Sequence, residues 1–252
     1  MLTRLPRHST TKGACRSPRQ GFSLVEILVV LSIASILSVL VTVGMQSVLG
    51  AAYSNETSDL ANTLVHARAC AMANNTYVFV GIEEVDASQP TTGVQTAGVG
   101  RVGVTVVASN DGTSNYATSN LTVVSPLRHF DNLHLTASSG VTSVTLPNAS
   151  NSTTYNLAST SSSSTTTFTW PLSGTAQYSF GNNSSSPGSV IQFDPQGEAQ
   201  IITTSIGAQS ILQWIEIDLV PTHGNSTAGT TAKNPATILI DGASGSVTTY
   251  RN

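Results

Sequence analysis

The chain has 252 residues, 9% charged and 6% aromatic, long enough for one large or two small domains and sparse in charge for a conventional soluble enzyme. Its net charge of −3 is uneven: the first 21 residues hold five of the ten basic residues and no acid, which leaves the remainder at −8. A basic head on an acidic body excludes nucleic acid as the body's expected partner and suits a head kept in the cytoplasm with a body exported from it.

In chain order, residues 1–21 form that basic leader, and residues 22–43 read FSLVEILVVLSIASILSVLVTV. At about 1.5 Å per residue the run reaches about 33 Å, enough for a hydrocarbon core of about 30 Å. An ordinary cleaved signal peptide has an apolar core of roughly 7–15 residues and then a small-residue site, which this run does not match. A plain signal anchor fits the length and leaves Glu26 unexplained. A carboxylate on an isolated spanning helix costs roughly 2.5–3.5 kcal/mol, less near the helix end.

Three features coincide here: the junction Gly21-Phe22, Glu26 four residues after Phe22, and a span that starts at once. Together they resemble the type III signal of type IV pilins and pseudopilins. The resemblance implies a cut between Gly21 and Phe22 by a membrane aspartyl peptidase, followed by N-methylation of Phe22. It also implies that Glu26 meets the new amine on a neighbouring subunit, so that an otherwise costly carboxylate gains an ionic partner on assembly. Gln20 stands before the glycine where the family has Lys or Arg, but Arg19 is next to it, and processing is expected to survive.

Within the span, Ser32, Ser35 and Ser38 form a stripe three residues apart that would let helices approach closely. Hydroxyls satisfied by carbonyls of their own helix are an equal reading. Gly44 and Gly50 are the positions where a bend is expected.

Residues 51–75 continue with helical periodicity. Leu60, Leu64, Ala67 and Ala71 make an inward stripe, widened by Val65 and Met72, and Asn74-Asn75 marks the stop. The polar cluster 54–59 reads as a local break or an exposed turn. Leu60 onward, with Ala67-Arg68-Ala69 and then Tyr77-Val78-Phe79-Val80, looks like the H-type minor pseudopilins of type II secretion and equally like minor pilins of type IV pili. Arg68 is either a family feature or an exposed helix arginine. Cys70 reads as a small packing residue. With Cys15 in the leader, its removal leaves Cys70 alone, so no disulfide is expected.

After Asn75 the period becomes two. Strands are expected at 77–82, 102–107, 121–125, 165–170, 190–193, 199–203, 212–220, 237–240 and 246–250, with Ile215, Ile217 and Leu219 on one face and Glu216 and Asp218 on the other. Turns are expected at Asp194-Pro195-Gln196-Gly197 and at 241–245. Residues 86–100, 148–167 and 181–188 read as polar surface loops. The expected fold is α+β: leader 1–21, long helix 22–75 with a transmembrane part at about 22–43, and a mainly antiparallel β-body 76–252.

Other motifs point to little chemistry. Gly98-Val99-Gly100-Arg101-Val102-Gly103 spells GxGxxG, but a strand follows where a dinucleotide site needs a helix, so a glycine-rich loop entering an edge strand is expected. His129 and His134 flank Asp131 without a third strong ligand nearby. Asp194, Glu198 and Asp241 are weak calcium candidates; no cofactor is expected. No catalytic constellation is found, so the chain is not read as an enzyme. The expectation is a minor pilin or pseudopilin whose helices build a filament core and whose β-body faces out. A tip adhesin or ligand-binding minor pilin is the alternative. Expected partners are the prepilin peptidase and N-methyltransferase, other pilin or pseudopilin subunits, an inner-membrane assembly platform and membrane lipid.

Overall fold

The structure, a computed structural model, describes residues 22–137, 141, 144, 146, 154–158, 167–181, 188–202, 214–227 and 234–251, and of residues 39–49, 188 and 227 the backbone alone. It forms two compact units, Met1–Gln46 and Ser47–Asn252, and the helix α1 (Leu24–Asn74) contributes to both.

In the first unit α1 starts at Ser23, whose carbonyl accepts from the amides of Glu26 and Ile27 at 3.0 and 3.2 Å. Every described side chain from Phe22 to Ser38 is exposed. Among the described residues no helix is long and apolar enough to cross a membrane; residues 39–43 of the apolar run fall where side chains are not described.

In the second unit α1 is unbroken from Gly50 to Asn74. The polar cluster 54–59 is neither a break nor a turn. Thr57 and Thr63 return their hydroxyls to the carbonyls of Tyr53 and Asp59, which removes the cost of burying them. Tyr53, Leu60, Leu64, Ala67 and Ala71 are buried as one stripe. Val65 and Met72 do not widen it: they are 49% and 46% exposed, because steps of about 100° per residue carry them past the edge that the sheets cover. The helix stops where expected. Asn75 adopts φ 49°, and the Thr76 amide reaches back to the Ala71 carbonyl at 3.1 Å, the bond of a Schellman cap.

The first sheet holds β1 (Val78–Asp86), β2 (Gly100–Ser109), β3 (Leu121–Phe130), β8 (Gly188–Phe193) and β9 (Ala199–Ile201) in the order β3-β2-β1-β8-β9, all antiparallel. The second is built on β10 (Trp214–His223), which pairs antiparallel with β12 (Ala236–Asp241), β4 (Leu133–Thr136) and β11 (Ser226–Thr227), and parallel with β5 (Thr154–Asn156). β13 (Val247–Arg251) is its outer strand beyond β12. A hairpin of β6 (Phe168–Trp170) and β7 (Tyr178–Phe180) makes a third, two-stranded sheet.

The body is therefore α+β and mostly antiparallel, as expected. One core joins the helix stripe to Val78, Val80, Ile82, Val104, Ile215, Ile217 and Ile238. A second lies on the other face of β1 and β2, where Phe168, Tyr178 and Phe180 of the hairpin cover Phe79 and Val107.

Two further expectations are corrected. The stretch 148–167 is not all surface loop: β5 lies in it, and Leu157 is fully buried. Its polar composition concealed one apolar anchor. β2 is not an edge strand either, since β1 and β3 flank it.

Candidate functional site

The N-terminal signal begins at the limit of the described residues: Gly21 lies outside them, and Phe22 and Glu26 are inside and exposed. Glu26 stands in the first turn of α1. Ser23 before the helix and Glu26 three residues later have the spacing of a capping box, a signal that the apolar run around them obscures. A carboxylate there also complements the partial positive charge of the helix start.

The serine stripe is satisfied within the helix. Ser32, Ser35 and Ser38 donate to the carbonyls of Val29, Ser32 and Ala34 at 2.7, 2.8 and 2.8 Å. Their small size remains available for packing; their hydroxyls are already used.

The metal candidates are turn-makers. Asp194 Oδ1 accepts from the amides of Gln196 and Glu198, both at 2.9 Å. Asp241 accepts from the Ala243 amide at 3.1 Å and the Ser244 hydroxyl at 2.8 Å. The two turns meet, since the Ala199 amide donates to the Gly242 carbonyl at 2.8 Å. Arg68 donates from Nε to the Gly197 carbonyl at 3.3 Å, so it tethers a turn to α1 and is not a free surface arginine. No group of three metal-ligating side chains occurs among the described residues.

The HFDNLH residues part ways. His134 Nδ1 lies 2.8 and 2.9 Å from the oxygens of Glu84, and Asp131 pairs with Arg101 at 2.6 Å. The His129 ring lies tilted against that of Tyr178, with centroids 5.8 Å apart. Three arginines of the body are likewise engaged: Arg101 with Asp131, Arg128 with Asp59 at 2.9 Å, and Arg251 with Ser54 and Ser58 of α1.

The GxGxxG spelling answers to packing. Gly100 has φ 102° and no room beside the Gly224 carbonyl, and a Cβ on Gly103 would stand inside the Tyr178 ring. Gly103→Ala is expected to cost about 1–3 kcal/mol through overpacking, read as a lower Tm of the full chain. An unchanged Tm would show that the hairpin β6–β7 can retreat without cost.

Sequence reasoning missed the buried and half-buried carboxylates of the body. Glu84, fully buried, accepts from the amides of Gly100 at 2.8 Å and Leu135 at 3.1 Å. Glu83, its neighbour on the opposite face, accepts from the Ser179 amide at 3.1 Å, and burial pushes its carboxyl up to about 7. Glu56 of α1 accepts from Asn132 through its amide at 3.0 Å and its side chain at 2.6 Å, and burial raises it too. Each carboxylate fastens a loop or strand to an inner element. Cys70 is half-buried, accepts from Asn74 Nδ2 at 3.2 Å, and lines an open cleft of about 510 Å³ beside the end of α1.

Residues 16–42 match a family model described as the prokaryotic N-terminal methylation motif. No curated protein and no solved structure matches the chain. The matched stretch brackets Gly21, Phe22 and Glu26 and ends well ahead of the β-body. The chain therefore carries a prepilin-type N-terminal signal of the kind that membrane-anchored pilins have, which supports a type IV pilin-like or pseudopilin precursor with a structural role.

Proposed function

We propose that the chain is the precursor of a minor pseudopilin or minor pilin, a structural subunit and not an enzyme. The observation that carries this reading is the methylation-motif match over residues 16–42, laid on the Gly21-Phe22 junction and Glu26. In this reading the leader 1–21 is removed by a prepilin peptidase, Phe22 is N-methylated, and residues 22–43 sit in the inner membrane with the body 76–252 on the periplasmic side. The five basic residues of the leader and the −8 of the remainder support that orientation. Residues 22–38 are exposed and, apart from Glu26, uncharged, a surface that water solvates poorly and that lipid or neighbouring helices would cover. Assembly into a type II secretion pseudopilus or a type IV pilus-like filament, through other subunits and an inner-membrane platform, is the proposed outcome.

The test is intact mass and N-terminal sequencing of the protein recovered from membranes of cells that hold a prepilin peptidase. The expected start is N-methylated Phe22, and Gly21→Ala is expected to keep the full leader. A wild-type start at Met1, or a cut elsewhere, would overturn the reading and leave an anchored β-domain.

A further inference from the structure

The open cleft of about 510 Å³ beside the end of α1 is also walled by β2 and β3, and its size is that of a ligand site. Cys70, Ala108 and Val124 give it apolar lining, Asn74, Asn75 and Asp111 belong to its polar lining, and none of the residues that line it is basic.

Asp111 is exposed, and its two oxygens are used unevenly. Oδ1 accepts from the Ser109 hydroxyl at 2.8 Å, from the Thr113 amide and hydroxyl at 3.0 and 2.7 Å, and from Asn120 Nδ2 at 2.8 Å. Oδ2 has no hydrogen-bond partner among the described residues. The bonds from the Thr113 hydroxyl first, then from Asn120, Ser109 and the Thr113 amide, hold the carboxyl below the usual carboxylate range. The cleft therefore keeps a fixed negative charge with one oxygen to spare.

A second source of negative potential stands beside it. The last turn of α1 holds no basic residue, so the negative pole of its dipole is unopposed within the helix. The Asn75 carbonyl, just past that end, lies 3.9 Å from where a Cβ on Gly112 would stand, next in the chain to Asp111.

We infer that this cleft is a docking site for a lysine side chain of a neighbouring protein chain, with the ammonium on Asp111 Oδ2 and the methylene stem along Cys70, Ala108 and Val124.

Other cations fit less well. An arginine fork pairs best with both oxygens of a carboxylate, and Oδ1 already serves four donors, whereas an ammonium needs one oxygen. A divalent cation takes several oxygen ligands, and Asp111 is the one carboxylate in the lining. The apolar lining suits a stem that carries its charge at the tip. A free amine gains little from one exposed ion pair, so occupancy calls for an ammonium that other contacts of its own chain hold in place. The −8 of the chain beyond residue 21 favours a basic partner at longer range. The inference rests on the body alone and holds whether or not the leader is cut.

Cys70 reports on the cleft from within. The test treats the full chain in detergent with aminoethyl methanethiosulfonate, which carries an ammonium, and with its neutral hydroxyethyl analogue. Rates are read at Cys70 by peptide mass mapping, which separates it from Cys15. Each is divided by the rate with mercaptoethanol, so the reactivity of the thiol itself cancels in the ratio. The expected result is a preference of about fivefold for the ammonium reagent, weaker in high salt. Asp111→Asn keeps an acceptor for the four donors, puts an amide in place of Oδ2, and is expected to remove most of that preference. If that variant does not fold, Asn74→Lys places a base on the exposed last turn of α1 and is expected to do the same. On intact membranes of cells that make the chain, a short thiol-to-amine cross-linker anchored at Cys70 is expected to reach a lysine of another protein chain. Its yield should fall about fivefold in the variant. The proposal is overturned if Cys70 does not prefer the ammonium reagent, if the folded variant keeps the preference, or if the cross-linker reaches only lipid amines or no amine.

Discussion

Replacing Glu26 with alanine is expected to leave the cut after Gly21 intact and to reduce incorporation into filaments about a hundredfold. Glu26 is the one charge in the apolar run 22–43. In the proposed membrane placement it carries a cost of up to roughly 2.5–3.5 kcal/mol, which an ionic partner on the next subunit would recover. At about 1.4 kcal/mol per factor of ten, loss of that term corresponds to about two orders of magnitude per contact. In the proposed reading, recognition by the peptidase lies at the Gly21-Phe22 junction, which the substitution does not touch.

The capping-box spacing from Ser23 to Glu26 offers a rival account in which the acid only starts the helix. Glu26→Gln separates the two. Glutamine satisfies the capping pattern and cannot form the ion pair, so assembly should fail with Glu26→Gln as it does with Glu26→Ala if the charge is what matters. Filament yield, measured by immunoblot of sheared or cross-linked fractions, gives the answer. Normal yield with Glu26→Gln would assign the residue to the helix start alone, and normal yield with Glu26→Ala would remove it from assembly altogether.

The sequence disclosed those features that depend on local pattern. The end of α1 at Asn75 was readable because an asparagine tolerates the left-handed φ that a cap requires. The strand at 214–220 was readable because Ile215, Ile217 and Leu219 alternate. What stayed hidden depends on contacts distant in the chain. β4 and β5 are short strands whose pairing is set by β10, roughly 80 and 60 residues further on. Thr57 looked like part of a break or an exposed turn because the sequence does not reveal that its hydroxyl can be returned to Tyr53 while it packs under a sheet. Arg68 could be read as an exposed helix arginine because only the fold brings the turns at Gly197 and Gly245 up to it. At the N-terminus the reverse holds. There the motif is entirely local, and residues 16–42 alone were enough for the match to the methylation motif.

The adjacent glutamates of β1 should respond in opposite ways to the same substitution. Glu84 is buried and saturated, with two backbone amides and His134 on its two oxygens. Glu84→Ala strands those donors and opens a cavity, a loss of about 3–5 kcal/mol. Against a total stability of about 5–15 kcal/mol that is enough to bring the body close to unfolding. Glu84→Gln keeps one acceptor oxygen and is expected to lose less. Glu83 accepts from the Ser179 amide, and burial raises its carboxyl to about 7. Its folded-state value lies above that of the unfolded chain, so its contribution is complete below about pH 4.5 and is lost as pH rises through about 7. Each pH unit in that window removes up to about 1.4 kcal/mol. Glu83→Gln removes the ionisation and is therefore expected to be neutral or stabilising at pH 8 and to flatten the decline of Tm between about pH 5 and about pH 8. Asp86 and Asp111 bend the profile the other way only at lower pH, since hydrogen bonds from Ser88 and from Thr113, Asn120 and Ser109 hold their carboxyls below the usual range. His129, lowered by burial and by Arg101, adds stability above the ordinary histidine value and opposes part of the decline. Melting curves of wild type, Glu83→Gln and Glu84→Gln across that range give a direct reading. Equal losses at pH 8 for both variants would mean that the two faces of β1 do not treat their carboxyls differently, and the assignment of Glu83 as a buried acid that docks the β6–β7 hairpin would have to be given up.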